Sequence, residues 1–145
     1  MLEDGSVYEG TARGDFKETA CEIVFNTSMT GYVEILTDPS YAGQGVVMTY
    51  PMIGNYGISR EDFESERLQP SAFIVHELSS DPSNFRCTDT IENLLKEYNI
   101  PCISGVDTRA VVKKLRESGT MRGVLTSDIG DRERLMDVIK SFRQI

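Results

Sequence analysis

The stretch from Asn26 to Gly57, NTSMTGYVEILTDPSYAGQGVVMTYPMIGNYG, sets the tightest limit on what this 145-residue chain can fold into. It is dense in Gly, Pro, Asn, Asp, Ser and Thr, yet threaded with Tyr, Ile, Leu, Val and Met. A surface loop carries few such apolar side chains, and a flexible linker is simpler in composition. Turn formers mixed with core formers over this length predict a structured segment that packs and shapes a surface at the same time.

On either side the periodicities are plainer. Ser6 to Ala12 and Thr19 to Asn26 read as strands; in the second, Cys21, Ile23 and Phe25 alternate with Glu22. Thr30 to Thr37 reads as a short helix ending before Asp38-Pro39. Gly45 to Tyr50 is a β-rich run closed by Pro51, a buried strand. Ser59 to Arg67, with six charges in nine residues, reads as an exposed excursion, and Ser71 to Leu78 as another apolar strand.

The second half alternates strand and helix. Ile91, Leu94, Leu95 and Tyr98 mark one helical face behind an Asp89–Glu92 capping box. Cys102 to Val106 is a short strand. Asp107 caps a helix carrying Val111, Val112 and Leu115 that stops at Gly119. Met121 to Thr126 is a strand, and Leu135, Val138, Ile139 and Phe142 mark a last helix starting near Asp131. Alternation implies parallel pairing with helices on a face, and the front half suggests a separate antiparallel layer. The expected class is α/β: a three-layer β/β/α domain with an antiparallel first layer and a partly parallel central sheet, helices on one face.

Charge and chemistry exclude several functions. A net charge of −8 argues against nucleic-acid binding, which rests on a basic surface, and against docking to an anionic membrane. No apolar run is long enough to span a bilayer, and no secretory signal opens the chain. Three cysteines, Cys21, Cys87 and Cys102, cannot all pair within the chain, and none lies in a CxxC; reduced, buried thiols are the simplest account. No cysteine sits in a glycine-flanked nucleophile turn, and His76, the single imidazole, lies in an apolar run as a strand-end residue. Glu61, Asp62, Glu64 and Glu66 lack calcium-loop spacing. Gly43-Gln44-Gly45 lacks the third glycine of a dinucleotide fingerprint and leads into a strand. No catalytic, metal-binding or cofactor-binding residue is expected on this chain.

The motifs Leu2-Glu3-Asp4-Gly5, Val24 to Tyr32, Glu34 to Tyr41, Thr49-Tyr50-Pro51, Ile53-Gly54-Asn55, Ser83 to Arg86 and Asp107-Thr108-Arg109 share an order and spacing. In these residues the chain resembles the N-terminal domain of the carbamoyl-phosphate synthase small, glutamine-hydrolysing subunit, from about residue 2 to about residue 128. The resemblance implies a small β/β/α fold of the swivelling type. It implies a cytoplasmic ligase that makes carbamoyl phosphate from glutamine, bicarbonate and ATP for arginine and pyrimidine biosynthesis. The nucleophilic Cys and its His belong to a C-terminal glutaminase domain, and ATP and metal to the large subunit. Residues 1–130 would form the N-terminal domain, and 131–145 a helix leading toward that glutaminase domain, which lies outside this chain. The expected role is non-catalytic: docking the large subunit and helping to wall the L-glutamine pocket. A stand-alone binding or scaffold module sharing the domain is the alternative. From its own residues, Asp38-Pro39-Ser40 is simply good turn sequence; the resemblance implies that Ser40 reaches the glutamine pocket. Asp107 is most simply a helix cap, and Arg109 a partner for a carboxylate.

Overall fold

The computed structural model describes residues 1–27, 39–49, 70–76 and 95–142. The helix expected at Thr30 to Thr37, the charged excursion at Ser59 to Arg67, the Asp89 capping box and Cys87 lie outside the described residues. The strands are β1 (Thr11–Gly14), β2 (Thr19–Asn26), β3 (Gln44–Met48), β4 (Ala72–Ile74), β5 (Pro101–Ser104) and β6 (Met121–Leu125). The helices are α1 (Thr108–Ser118) and α2 (Arg132–Ser141), and a short 3-10 turn covers Pro39–Tyr41. Residues 95–97 are also helical; Asn99, at φ 59°, turns the chain there, and the Ile100 amide donates back to the Leu95 carbonyl.

One mixed sheet runs in the order β1-β5-β4-β3-β2-β6. The four inner strands are parallel to one another, with β2 against β3, β3 against β4 and β4 against β5. The outer strands are antiparallel, β1 to β5 and β6 to β2. Residues Met1 to Glu3 lie along the free edge of β6, where Leu2 bridges Gly123 and the Glu3 amide donates to the Arg122 carbonyl.

Alternation in β2 works as its pattern requires: Cys21 and Ile23 are buried between half-exposed neighbours. β3 and β4 are buried along nearly their whole length, as parallel inner strands must be. α1 and α2 each begin behind an aspartate. Asp107 accepts from the Ala110 amide at 3.2 Å, and Asp131 from the Arg134 amide at 3.0 Å. Gly119 closes α1 at φ 84°, a backbone angle that glycine adopts without strain.

β6 decides where the helices go. Met121 and Leu125 join the apolar cluster that holds Val111, Val112 and Leu115 of α1, whereas Val124 joins Leu135 and Ile139 of α2. Successive strand residues point to opposite faces, so α1 and α2 cover opposite faces of the sheet. The expected α/β class and partly parallel central sheet are what forms. Among the described residues the antiparallel pairing lies at the two edges of this sheet, and α1 and α2 take one face each. Alternation tells which residues share a face; it does not tell which strands become neighbours. The first strand also falls later than expected. Val7 and Tyr8 are half-buried ahead of it, and Tyr8 packs on the core without ladder pairing.

Polar contacts lock α2 at its start. Arg134 donates through both terminal nitrogens to Glu18, at 2.8 and 3.0 Å, and the Thr126 hydroxyl donates to the same carboxylate at 3.0 Å. The Arg134 fork, aided by Thr126, holds the Glu18 carboxyl down at about 2 against its ordinary 4.5.

Two expectations follow from these contacts. A Cβ on Gly45 would stand 2.7 Å from the Cys21 sulfur and 2.9 Å from Ile23 Cδ1. Gly45→Ala should therefore destabilise the fold by ~1–3 kcal/mol in urea unfolding, with part of the loss recovered in the Gly45→Ala/Cys21→Ala pair; equal stability to wild type would contradict the close approach. Because the Glu18 value is depressed on folding, its contribution is complete above pH 4.5 and fades as pH falls through about 2. The Tm gap between wild type and Glu18→Gln should close over that acid range, and a gap constant from neutral pH to pH 2 would show that the pair does not form.

Candidate functional site

Ser40 sits exposed in the middle of the 3-10 turn Pro39–Tyr41, just before β3. Its neighbours hold the turn. Asn26, the last residue of β2, donates its side-chain amide to the Tyr41 hydroxyl at 2.9 Å. The Asn26 carbonyl accepts from the Thr49 amide at 3.1 Å and from the Thr49 hydroxyl at 3.3 Å. Gly43 reverses the chain at φ 79°, and Gln44 then donates its side-chain amide to Glu22 at 3.0 Å. Gly45 leaves room beside it for the side chains of Cys21 and Ile23 on the neighbouring β2.

The chemistry this turn offers at the surface is that of a serine side chain. A serine can both donate to and accept from a polar ligand. Its turn hangs from two parallel strands, so its position is set by the sheet as well as by the local sequence. Asn26, Thr49 and Ser40 come from separate motifs, and the fold gathers Asn26 and Thr49 around the turn's Tyr41 anchor. Thr30, Gly31 and Tyr32 lie outside the described residues. The Asn26–Tyr41 and Glu22–Gln44 bonds were not visible in the sequence; no periodicity links a strand-end asparagine to a tyrosine fifteen positions on.

The remaining candidates fall into structural roles. Asp107 is the N-cap of α1, while Arg109 is exposed and pairs with no carboxylate among the described residues. His76 is exposed just past β4, with Nδ1 3.2 Å from the Val106 carbonyl, a geometry in which the ring N–H donates. Cys21 and Cys102 are fully buried and form no disulfide with each other. Burial pushes the Cys21 thiol up to about 12. Among the described residues no three His, Cys, Asp or Glu side chains converge to hold a metal ion, and no described helix is long and apolar enough to cross a membrane. A cavity of about 420 Å³ opens between the N-terminal segment and the sheet, lined by Tyr8, Phe16, Ile23, Val47, Ile74 and Val111 among others. It is apolar and does not include Ser40, Asn26 or Tyr41 in its walls.

Residues 1–125 match the family model of the carbamoyl-phosphate synthase small chain, CPSase domain. The chain belongs to this small-chain family. It is 55% identical over 125 residues to the carbamoyl phosphate synthase small chain of Caldanaerobacter subterraneus subsp. tengcongensis, covering 86% of this chain and 35% of that one. It is 52% identical over 135 residues to the small chain of Archaeoglobus fulgidus, covering 93% of this chain and 38% of that one. With the small chain of Listeria innocua serovar 6a the identity is 48% over 143 residues, covering 99% and 39%. The chain thus spans well under half the length of these small-chain relatives.

Within this small-chain domain the two described cysteines are core residues. At pH 8 a thiol near 12 is ionised in roughly one molecule in ten thousand. Iodoacetamide at that pH should leave Cys21 and Cys102 unmodified in the folded chain over a time that fully labels the urea-unfolded chain. Fast labelling of Cys21 in the folded state would contradict its burial.

Proposed function

We propose that this chain is the non-catalytic N-terminal part of the small subunit of a glutamine-dependent carbamoyl-phosphate synthase, in which Ser40 helps to wall the glutamine pocket. The observation that carries this reading is an exposed serine on a turn pinned by Asn26–Tyr41 and Gln44–Glu22, in a chain of the small-chain family.

In this reading residues 1–130 form the domain, and 131–145 lead to a glutaminase domain supplying the nucleophilic cysteine and its histidine. That domain releases ammonia from L-glutamine, and the large subunit, which holds ATP and metal, combines it with bicarbonate. This chain docks the large subunit. The enzyme is cytoplasmic and serves arginine and pyrimidine biosynthesis. The pushed-up Cys21 thiol supports a non-catalytic role for the described core.

The chain on its own should release no ammonia from glutamine above a heat-killed control; turnover would refute the non-catalytic role. In the complete small subunit with its large subunit, Ser40→Ala should weaken glutamine use about two- to tenfold, as expected for one lost neutral hydrogen bond. The loss should appear as a higher KM, since a substrate-positioning contact acts in ground and transition states alike. Ammonia-dependent synthesis should be unchanged. Tyr41→Phe, which keeps the ring and removes the hydroxyl that accepts from Asn26, should give a smaller loss of the same kind. Equal losses with glutamine and ammonia would mean that Ser40 only shapes a turn.

A further inference from the structure

Helix α2 lies beyond the residues matched by the family model, yet the fold grips it at both ends. Leu135 and Ile139 are fully buried against Val124 of β6. Glu18 holds the first turn through Arg134. The last turn is held by Arg122 of β6, whose Nη1 donates to the carbonyls of Lys140 at 3.3 Å and Phe142 at 3.4 Å. Those carbonyls belong to a helix C-terminus, where carbonyls lack partners within the helix and the dipole favours a cation.

Arg122 is itself oriented. Glu3 accepts from its backbone amide at 2.9 Å with one carboxylate oxygen and from its Nη2 at 3.3 Å with the other. A single guanidinium therefore forks between a carboxylate on the N-terminal edge segment and the carbonyls where α2 ends. The Phe142 amide donates to Val138 and Ile139, and Phe142 leaves the helix in an extended conformation at φ −69°, ψ 128°. A half-exposed ion pair of this kind adds little stability. Its content is directional, because a planar fork admits few arrangements and a lysine would not reproduce it.

We propose that Arg122 is a positioning residue that makes α2 a rigid exit strut, fixing the direction in which the chain leaves Phe142 and so the placement of the segment that follows. This rests on the reading that a glutaminase domain follows α2, and it names the residue that would align that domain.

The test uses the complete small subunit with Arg122→Met, Arg122→Lys and Glu3→Gln. Hydrogen exchange should show the Phe142 amide opening roughly tenfold faster in Arg122→Met, with the Leu135 amide unchanged. Distances between one spin label on the exposed face of α1 and another in the segment after α2 should spread over a wider range in Arg122→Met and Arg122→Lys, and less so in Glu3→Gln. Synthesis from glutamine should fall while synthesis from ammonia holds. A distance distribution as narrow as wild type in a folded Arg122→Met subunit overturns the strut. If that variant does not fold, an unchanged distribution in Glu3→Gln together with Arg122→Lys overturns it instead. A wild-type subunit that makes no product from glutamine refutes the proposed function, while the distance measurement still decides on the strut.

Discussion

β2 is the strand on which the rest of the fold depends. It is hydrogen-bonded along both edges, parallel to β3 and antiparallel to β6, and its Cys21 and Ile23 side chains form the floor over which Gly45 passes. A Cβ at position 45 would collide with those two side chains on one face of the sheet. The turn that carries Ser40 leads into β3 beside this close packing. The same strand ends at Asn26, whose side chain fastens the turn and whose carbonyl fastens the end of β3. Core packing and site geometry meet in eight residues.

Features decided by local chemistry could be read from the sequence. β2 runs from Thr19 to Asn26 as its alternation predicts, and α1 is bounded by the aspartate and the glycine that sequence reasoning singled out. α2 likewise starts behind Asp131. These signals are strong because capping and alternation act over a few residues. The order of the strands and the assignment of α1 and α2 to opposite faces were not legible, because they depend on pairings between residues far apart in sequence. The first strand misled for a related reason. Val7 and Tyr8 have strand-like chemistry but are half-buried, Tyr8 against the core, with no ladder partner among the described residues.

The candidate site was legible in outline only. Asp38-Pro39-Ser40 announces a turn, and a turn is what Pro39–Tyr41 forms. That Tyr41 would be held by Asn26, and Gln44 by Glu22, required the fold, since each of these side chains has many other possible partners in an unfolded chain. The electrostatic links at the two ends of α2 were hidden in the same way. Glu18 and Arg134, or Glu3 and Arg122, are separated by more than a hundred positions, and nothing local distinguishes them from ordinary surface charges.

The strand order carries a consequence for biosynthesis. β6 pairs with β2 although roughly a hundred residues separate them in the chain. At ribosomal rates of about 5–20 residues per second, β2 emerges ~5–20 s before its partner. During that interval one edge of β2 is a bare row of amides and carbonyls, a template for any extended segment in a crowded cell. β3, made early, can cover the other edge of β2, leaving its own far edge to β4. Slow codons placed between β3 and β6 would lengthen that exposure, and a chaperone bound during synthesis would find its natural substrate there.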